Sequence, residues 1–245
     1  SMQLRFHTQT AGVSLTAQQP EVNIVRTTIE ALAGVLGGTQ SLHTNAMDEA
    51  LALPTAKAAR IALRTQQVIA EETGVAHVAD PLGGSWFVEA LTDEIERRAE
   101  EIFARIEARG RGSMLEGVLA GIEENWFQAE IADAAFQQER KRNEGRRRVV
   151  GVNAHTEGNE KDAIELLEIT PEDERRQMKR LHEVKARRNA DAVGAALDAL
   201  ACAAADPTTN LVPPVMEAVR AYATLGEIMD TLASVFGRHV ETPTI

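Results

Sequence analysis

The sequence predicts an α/β fold that is mostly helical, and three observations carry the prediction. Near the N-terminus two short stretches, residues 3–9 and 39–43, read as strands, and each precedes a long run of helix-period apolar residues. Beyond about residue 90 the chain reads as helices separated by caps and turn residues, with one short strand at 149–152. The composition agrees: aromatic residues make up only 4% of the 245, so a core of Ala, Leu, Ile and Val suited to close helix packing is expected.

Residues 3–9 alternate apolar and polar, with His7 and Gln9 on one face and Leu4 and Phe6 on the other. Thr10-Ala11-Gly12-Val13-Ser14 is the loop that follows, where Gly12 lets a backbone or ligand approach closely. Pro20 opens a helix over 22–36 with Ile24, Val25, Ile29, Leu32 and Leu36 as its apolar face, and Gly37-Gly38 stops it. After the second strand, Thr55 is the N-cap of a helix over 56–73. Strand, helix, strand, helix is a βαβα unit with parallel strands. Two such strands neither close a barrel nor bury both their faces, which predicts self-association or a partner.

Residues 75–79 read as a short extended piece, and Asp80-Pro81-Leu82-Gly83-Gly84-Ser85 as a turn cluster. Thr92 is the expected cap of a long helix to Arg109, with Ile95, Ala99, Ile102 and Ile106 on one stripe. Gly110-Arg111-Gly112 breaks it, and Ser113 with Glu116 forms a capping box for the next helix. Within the helical stretch 123–143, Trp126, Phe127, Ile131 and Phe136 read as core rather than cofactor stackers. The basic run at 140–148 reads as a solvated helix end and turn. Then come Thr170 as a cap, a helix over 189–205, a start at Asn210 with Pro213-Pro214, and a capping box of Thr224 and Glu227. Ile228, Leu232, Val235 and Phe236 form the face of the last helix. The expected regions are 1–90, 91–160 and 161–245.

A formal net charge of −11 argues against nucleic-acid binding, which needs a basic face. The lone cysteine, Cys202, excludes a disulfide framework, fits a reducing cytoplasm and reads as a small buried hydrophobe. No apolar run is long enough to span a membrane and no signal peptide is evident, while Ser1-Met2 reads as a remnant before a start methionine. Hydrolase, P-loop and dinucleotide signatures are missing, and the six histidines lack metal-ligand spacing, so no metal site is expected.

One stretch stands apart. Thr39, Gln40, Ser41, His43, Thr44, Asn45, Asp48 and Glu49 fall within eleven positions between a strand and a helix. In α/β proteins ligands bind past the C-terminal ends of strands, and an ordinary strand-to-helix connection with local caps is the alternative. The gapless run Gly37-Gly38-Thr39-Gln40-Ser41-Leu42-His43-Thr44-Asn45-Ala46-Met47-Asp48-Glu49-Ala50-Leu51-Ala52-Leu53-Pro54-Thr55 resembles the last barrel strand and loop of the methylmalonyl-CoA mutase family, adenosylcobalamin-dependent acyl-CoA mutases. Phe6-His7-Thr8-Gln9-Thr10-Ala11-Gly12, Asn23-Ile24-Val25-Arg26-Thr27 and Asp80-Pro81-Leu82-Gly83-Gly84-Ser85 extend the resemblance. It weakens after about Arg109 and returns at Tyr222-Ala223-Thr224-Leu225-Gly226-Glu227-Ile228.

The resemblance implies the last two β/α units of a TIM-type (β/α)8 barrel, followed by a helical C-terminal region. By it, Gln9 and Gly12 match the loop over the corrin ring, Glu49 and Ala52 match positions around the cofactor, and Ser41 matches a contact to the CoA part of an acyl-CoA substrate. The implied activity is radical rearrangement of a branched acyl-CoA. Because only two barrel strands are expected, the chain alone should be inactive and should need an N-terminal barrel portion or a homo-oligomer partner. No cobalamin-binding domain is expected before the end at Ile245, which implies a separate cobalamin-binding subunit. Asn153-Ala154-His155-Thr156-Glu157-Gly158 resembles the family's Asp-x-His-x-x-Gly cobalt-ligand loop, but Asn replaces the carboxylate that would orient the imidazole, so a surface turn is expected. The competing reading is a non-catalytic binding or assembly module that docks a corrinoid-binding subunit or a chaperone.

Overall fold

A computed structural model describes residues 4–157 and 164–240. Ser1-Met2, the expected strand start at Gln3, Gly158 and the chain end at Ile245 lie outside the described residues. Two compact units divide between Glu168 and Ile169.

The first unit opens with β1 (His7–Gln9), α1 (Val22–Leu36), β2 (Ser41–His43) and α2 (Ala56–Glu72). β1 and β2 pair in parallel, with His7 opposite Ser41, Thr8 opposite Leu42 and Gln9 opposite His43. Thr8 and Leu42 face α1, where Gly34 has no side chain to keep them away: a Cβ there would stand 3.2 Å from Thr8 Cγ2. His7, Gln9, Ser41 and His43 are exposed on the opposite face. Both helices begin and end as the punctuation predicts, and the Thr55 hydroxyl accepts from the Ala58 N–H.

The inner face of α1 differs from expectation. Asn23, Thr27 and Ala31 are buried, at i, i+4 and i+8, while Val25 and Ile29 are 57% and 64% exposed. The buried stripe meets loop carbonyls, so side chains that can donate hydrogen bonds fill it. A small apolar cluster of Ala46, Met47, Ala58 and Ala62, with Ile24 against it, fills the space towards α2.

Residues 75–77 form a 3-10 turn rather than an extended piece, because Gly74 enters it in the left-handed region at φ 74°. The long helix α3 (Trp86–Arg109) starts earlier than expected. Ser85 is its N-cap, and Thr92 lies inside it, with its hydroxyl donating to the Val88 carbonyl at 2.8 Å. Of the expected α3 stripe only Ile106 is buried, whereas Ile95 is 61% exposed. Ile106 lies where α4 (Met114–Glu123) packs backbone against backbone. A Cβ on Gly110 would stand 1.9 Å from the Ser113 carbonyl, and one on Gly117 would stand 2.0 Å from that of Ile106. Ser113 caps α4 by accepting from the Glu116 N–H at 3.3 Å.

Asn125, at φ 54°, separates α4 from α5 (Trp126–Asn143). Trp126 lies under the guanidinium groups of Arg105 and Arg109, at 4.8 and 4.5 Å from its ring centre, with the Phe127 ring edge against it. Ile131 and Phe136, expected in the core, are exposed because α5 spreads its apolar residues around its circumference instead of along one stripe. Arg142 and Arg146 of the basic run pair with Glu139 and Glu144 on the surface. Residues 149–152 form a turn rather than a strand, since Gly151 takes φ 80°, and one bridge joins Val150 to Ala154.

The second unit consists of α6 (Pro171–Arg187), α7 (Ala190–Ala204), α8 (Val212–Arg220) and α9 (Leu225–Phe236). Thr170 with Asp173, and Thr224 with Glu227, form complete capping boxes. Leu200, Ala218 and Ile228 make its core, with Ala196, Leu197, Val215, Ala223 and Leu232 packed around them. On α9 the expected face is only partly covered: Phe236 remains 62% exposed. Cys202, expected inside, is exposed. It follows the buried Leu200 by two residues, which places it on the far side of α7.

Candidate functional site

The site is built where the two strands end. Each short strand carries its chain into a loop, and the loops are joined by side chains buried between them. Thr10 hydroxyl donates to Asn45 Oδ1 at 2.6 Å, and its oxygen accepts from the Asn45 N–H at 2.9 Å. The Thr10 N–H donates to the His43 carbonyl, which extends the parallel ladder by one step into the loops. Thr10 is 4% exposed and Asn45 likewise, so water competes little for these bonds.

The loop after β2 is held from within. Glu49 accepts from the Ala46 N–H at 2.7 Å through Oε1 and from Asn45 Nδ2 at 2.5 Å through Oε2. Asp48, 1% exposed, accepts through Oδ2 from both the N–H and the hydroxyl of Thr55, which ties the loop to the start of α2. Its second oxygen, Oδ1, is buried with no partner in the structure. Thr44 donates to the Ala62 carbonyl and receives Gln66 Nε2, which also reaches the Leu42 carbonyl.

Of the residues named from the sequence, Gly12 and Glu49 come together at Asn45. A Cβ on Gly12 would have only Asn45 Nδ2 near it, at 3.8 Å, and that amide holds Glu49. Gly12 itself is exposed in a 3-10 turn (Gly12–Ser14), and the N–H of Ala11 beside it donates to Glu30 of α1 at 2.8 Å. Gln9 is exposed, opposite His43 in the register. Ala52 is half-buried, its N–H donating to the Asp48 carbonyl at 3.0 Å. Ser41 lies at the other end of β2 from the loop, where its hydroxyl is 2.5 Å from His7 Nδ1. The structure therefore brings Gly12 and Glu49 together at Asn45, leaves Gln9 at the end of β1 and Ala52 three residues beyond Glu49 in the loop after β2, and sets Ser41 two residues back along the exposed sheet face that carries Gln9.

Sequence reasoning assigned no role to Thr10, Asn23, Asn45 or Asp48, all buried here. The available signal was the spacing of Asn23, Thr27 and Ala31, two polar residues and a small one at helix period beside an apolar row. His155, in the near-motif, is exposed at φ 52°; its backbone carbonyl, not its imidazole, receives Gln19 Nε2 at 3.0 Å. Asn153 shapes that turn: Oδ1 accepts from the Val149 N–H, and Nδ2 donates to the carbonyls of Arg142 and Arg147.

A profile of the methylmalonyl-CoA mutase family matches residues 1–238. The chain belongs to the methylmalonyl-CoA mutase family. Among similar proteins, the 2-hydroxyisobutanoyl-CoA mutase large subunit of Aquincola tertiaricarbonis is 47% identical over 99% of this chain and 42% of its own length. The methylmalonyl-CoA mutase of Rhizobium meliloti is 44% identical over the whole of this chain and 34% of its own length. The human mitochondrial methylmalonyl-CoA mutase is 43% identical over 98% of this chain and 31% of its own. The chain thus spans about a third to two-fifths of the length of these mutase relatives. Among the described residues no helix is long and apolar enough to cross a membrane.

Proposed function

We propose that this chain is part of an adenosylcobalamin-dependent acyl-CoA mutase, in which β1, α1, β2 and α2 are the last two units of a (β/α)8 barrel and the loops after the strands border the cofactor. The observation that carries the reading is the buried Thr10–Asn45 pair, which locks two loops together at one end of a parallel sheet. Buried side-chain pairs between loops are a costly way to hold a mere connection, and a reasonable way to hold a ligand surface.

The residues present fit a corrin. Its rim carries amides that both donate and accept, and the exposed Gln9 amide does the same. Gly12 opens space where a side chain would otherwise stand, so a flat ring could lie close to the backbone. Glu49 spends one lone pair of each oxygen inside its loop and retains others for a donor. Ala52 is small enough to let the ring approach. When bound, adenosylcobalamin supplies the radical chemistry of the rearrangement. The chain's own contribution is to orient the ring, to exclude water from the strand ends, and, through Ser41, to contact the CoA portion of the substrate. A cobalamin-binding subunit, which the large-subunit name of one relative suggests, and the other barrel strands would complete the assembly.

The test is reconstitution. The purified chain should turn over no acyl-CoA, and activity should appear when the remaining barrel, a corrinoid-binding subunit and adenosylcobalamin are supplied. Turnover by the chain alone, or no turnover by the assembly, would count against the reading.

A second reading, an assembly module, is favoured by the apolar side chains left uncovered, among them Trp86 at 89% and Phe87 at 77% exposed on α3. It predicts a stable complex that binds no cofactor at the strand ends.

A further inference from the structure

We propose that Asn23 and Arg26 of α1 are positioning residues for the cofactor, acting by tying together three loops that carry or support its binding surface. The inference rests on the cofactor reading above. It arises from one fully buried amide whose bonding capacity is completely used. Asn23 Oδ1 accepts from the Thr16 N–H at 3.0 Å and from Arg26 Nη1 at 2.7 Å. Its Nδ2 donates to the Thr16 carbonyl and to the Met47 carbonyl, both at 2.9 Å. An asparagine offers two N–H donors and two lone pairs, and all four are engaged.

The partners decide what this achieves. Thr16 belongs to the loop after β1, four residues beyond Gly12, and Met47 belongs to the loop after β2, two residues before Glu49. One side chain therefore fixes the separation of the two loops from below, while Thr10 and Asn45 fix it at the strand ends. An apolar side chain of the same size would fill the helix face but could not hold two loop carbonyls in register. A flat ring spanning both loops needs that separation constant to a fraction of an ångström.

Arg26 brings in a third segment. Its Nη1 also donates to Thr16 Oγ1 at 3.0 Å, and its Nη2 to the Val150 carbonyl at 2.7 Å. The 149–157 turn is latched a second time by Gln19, whose Nε2 reaches the carbonyls of His155 and Glu157. Gly151, at φ 80°, lets the turn approach: a Cβ there would stand 3.3 Å from Gln19 Cδ. The turn that resembles a cobalt-ligand loop thus serves as a strap on the loop that bears Gly12.

The experiment uses the full-length protein containing this chain, with adenosylcobalamin affinity read by absorbance titration and local order by amide hydrogen exchange. Asn23→Leu should raise the Kd about tenfold, a change of about 1.4 kcal/mol. It should also speed exchange in residues 11–19 and 44–52 without changing α2. Arg26→Met, on a half-buried side chain, should give a smaller rise and faster exchange in 149–157 and 11–19; it carries the test if Asn23→Leu does not fold. A purely structural role would lower the melting temperature and the fraction able to load, but leave the Kd of that fraction at the parent value, and this result would overturn the proposal. Gln9→Ala separates the two levels. If it weakens binding while both α1 variants keep the parent Kd, the positioning role is wrong. If it too is silent, the cofactor reading fails and this inference with it.

Discussion

Residues 4–72 and residues 169–240 are held together by opposite chemistry. Every buried polar side chain among the described residues, Thr10, Asn23, Thr27, Thr44, Asn45, Asp48 and Thr65, belongs to the first stretch. The second buries Val193, Leu200, Ala204, Ala218 and Ile228, and keeps its polar bonds at helix ends and on the surface. An apolar core tolerates exchange among side chains of similar volume, whereas a buried hydrogen-bond network specifies one arrangement and penalises every loss of a partner. The difference teaches that the first stretch is built to fix the relative position of loops, and the second to fix the packing of helices.

The largest effect that tests the comparison is expected in the apolar unit. Leu200 is fully buried, and Leu200→Ala removes its packing and leaves a cavity, at a cost of about 3 kcal/mol. Hydrogen exchange of the α7, α8 and α9 amides should report that loss. Unchanged protection there would mean that the unit is not held by its apolar core.

The polar lock should respond less in magnitude and differently in kind. Thr10→Val keeps the shape but strands the buried Asn45 backbone N–H and its side-chain Oδ1, at about 2 kcal/mol. Adding Asn45→Leu removes the stranded side-chain oxygen, though not the backbone N–H, and both single variants lose the same Thr10–Asn45 bond, so the double variant should cost less than the sum of the singles. Additivity in denaturant titration would show that the two side chains do not act as a unit.

These contrasts explain what was legible in the sequence. Helix ends were legible wherever the capping chemistry is local: Pro20 and Gly37-Gly38 around α1, Thr55 before α2, Thr170 and Thr224 before α6 and α9. The start of α3 was misread because Thr92-Asp93-Glu94 imitates a first turn, while the true cap, Ser85, was absorbed into the turn cluster before it. Positive-φ glycines at 74 and 151 turned two apparent strands into turns. Which residues belong to the site was partly legible, since the polar density of 39–49 marked the loop after β2. The bonds that join α1 and the two loops were not, because Thr10 and Asn45, Asn23 and Met47, and Thr27 and Asn45 are 18 to 35 residues apart and meet only once the strands pair. Exposure of Ile131, Phe136 and Phe236 was equally hidden: periodicity names a face but not what covers it.

A smaller effect should separate the half-buried polar bonds at a helix end of the second unit from the buried ones of the first stretch. Arg188 donates to both carboxylate oxygens of Glu227, at 2.7 and 2.5 Å, while Glu227 accepts from the Thr224 N–H. The Arg188 fork, then the Thr224 N–H, hold the Glu227 carboxyl far below its ordinary 4.5. A lowered folded value means that the stabilisation is complete above about 4.5 and is lost as pH falls from there towards the folded value. Glu227→Gln should cost about 1 kcal/mol at neutral pH, and the gap from the parent should shrink as pH falls below 4.5. A gap that is constant with pH would assign the effect to the cap geometry instead of the charge.

The smallest expected effect is at His155, and it sharpens the comparison by separating backbone from side chain in the strap. His155 contributes its carbonyl to Gln19, and its exposed imidazole follows Asn153, whose amide is committed to Val149, Arg142 and Arg147. A cobalt-ligating histidine needs a second residue to orient its ring, and at 153 an asparagine engaged with the turn's own backbone stands where a carboxylate would. In a reconstituted holoenzyme His155→Ala should therefore leave the cofactor's ligand-exchange spectrum and its affinity unchanged. His155→Gly should do the same while relieving the φ of 52°, so the turn should be no weaker for it. Loss of the ligand-exchange spectrum in His155→Ala, with Gln9→Ala and Glu49→Ala silent, would move the cofactor from the strand ends to this turn. In that case the buried network of residues 10–65 would be a structural core made of polar parts, and the contrast between the two stretches would carry no functional meaning.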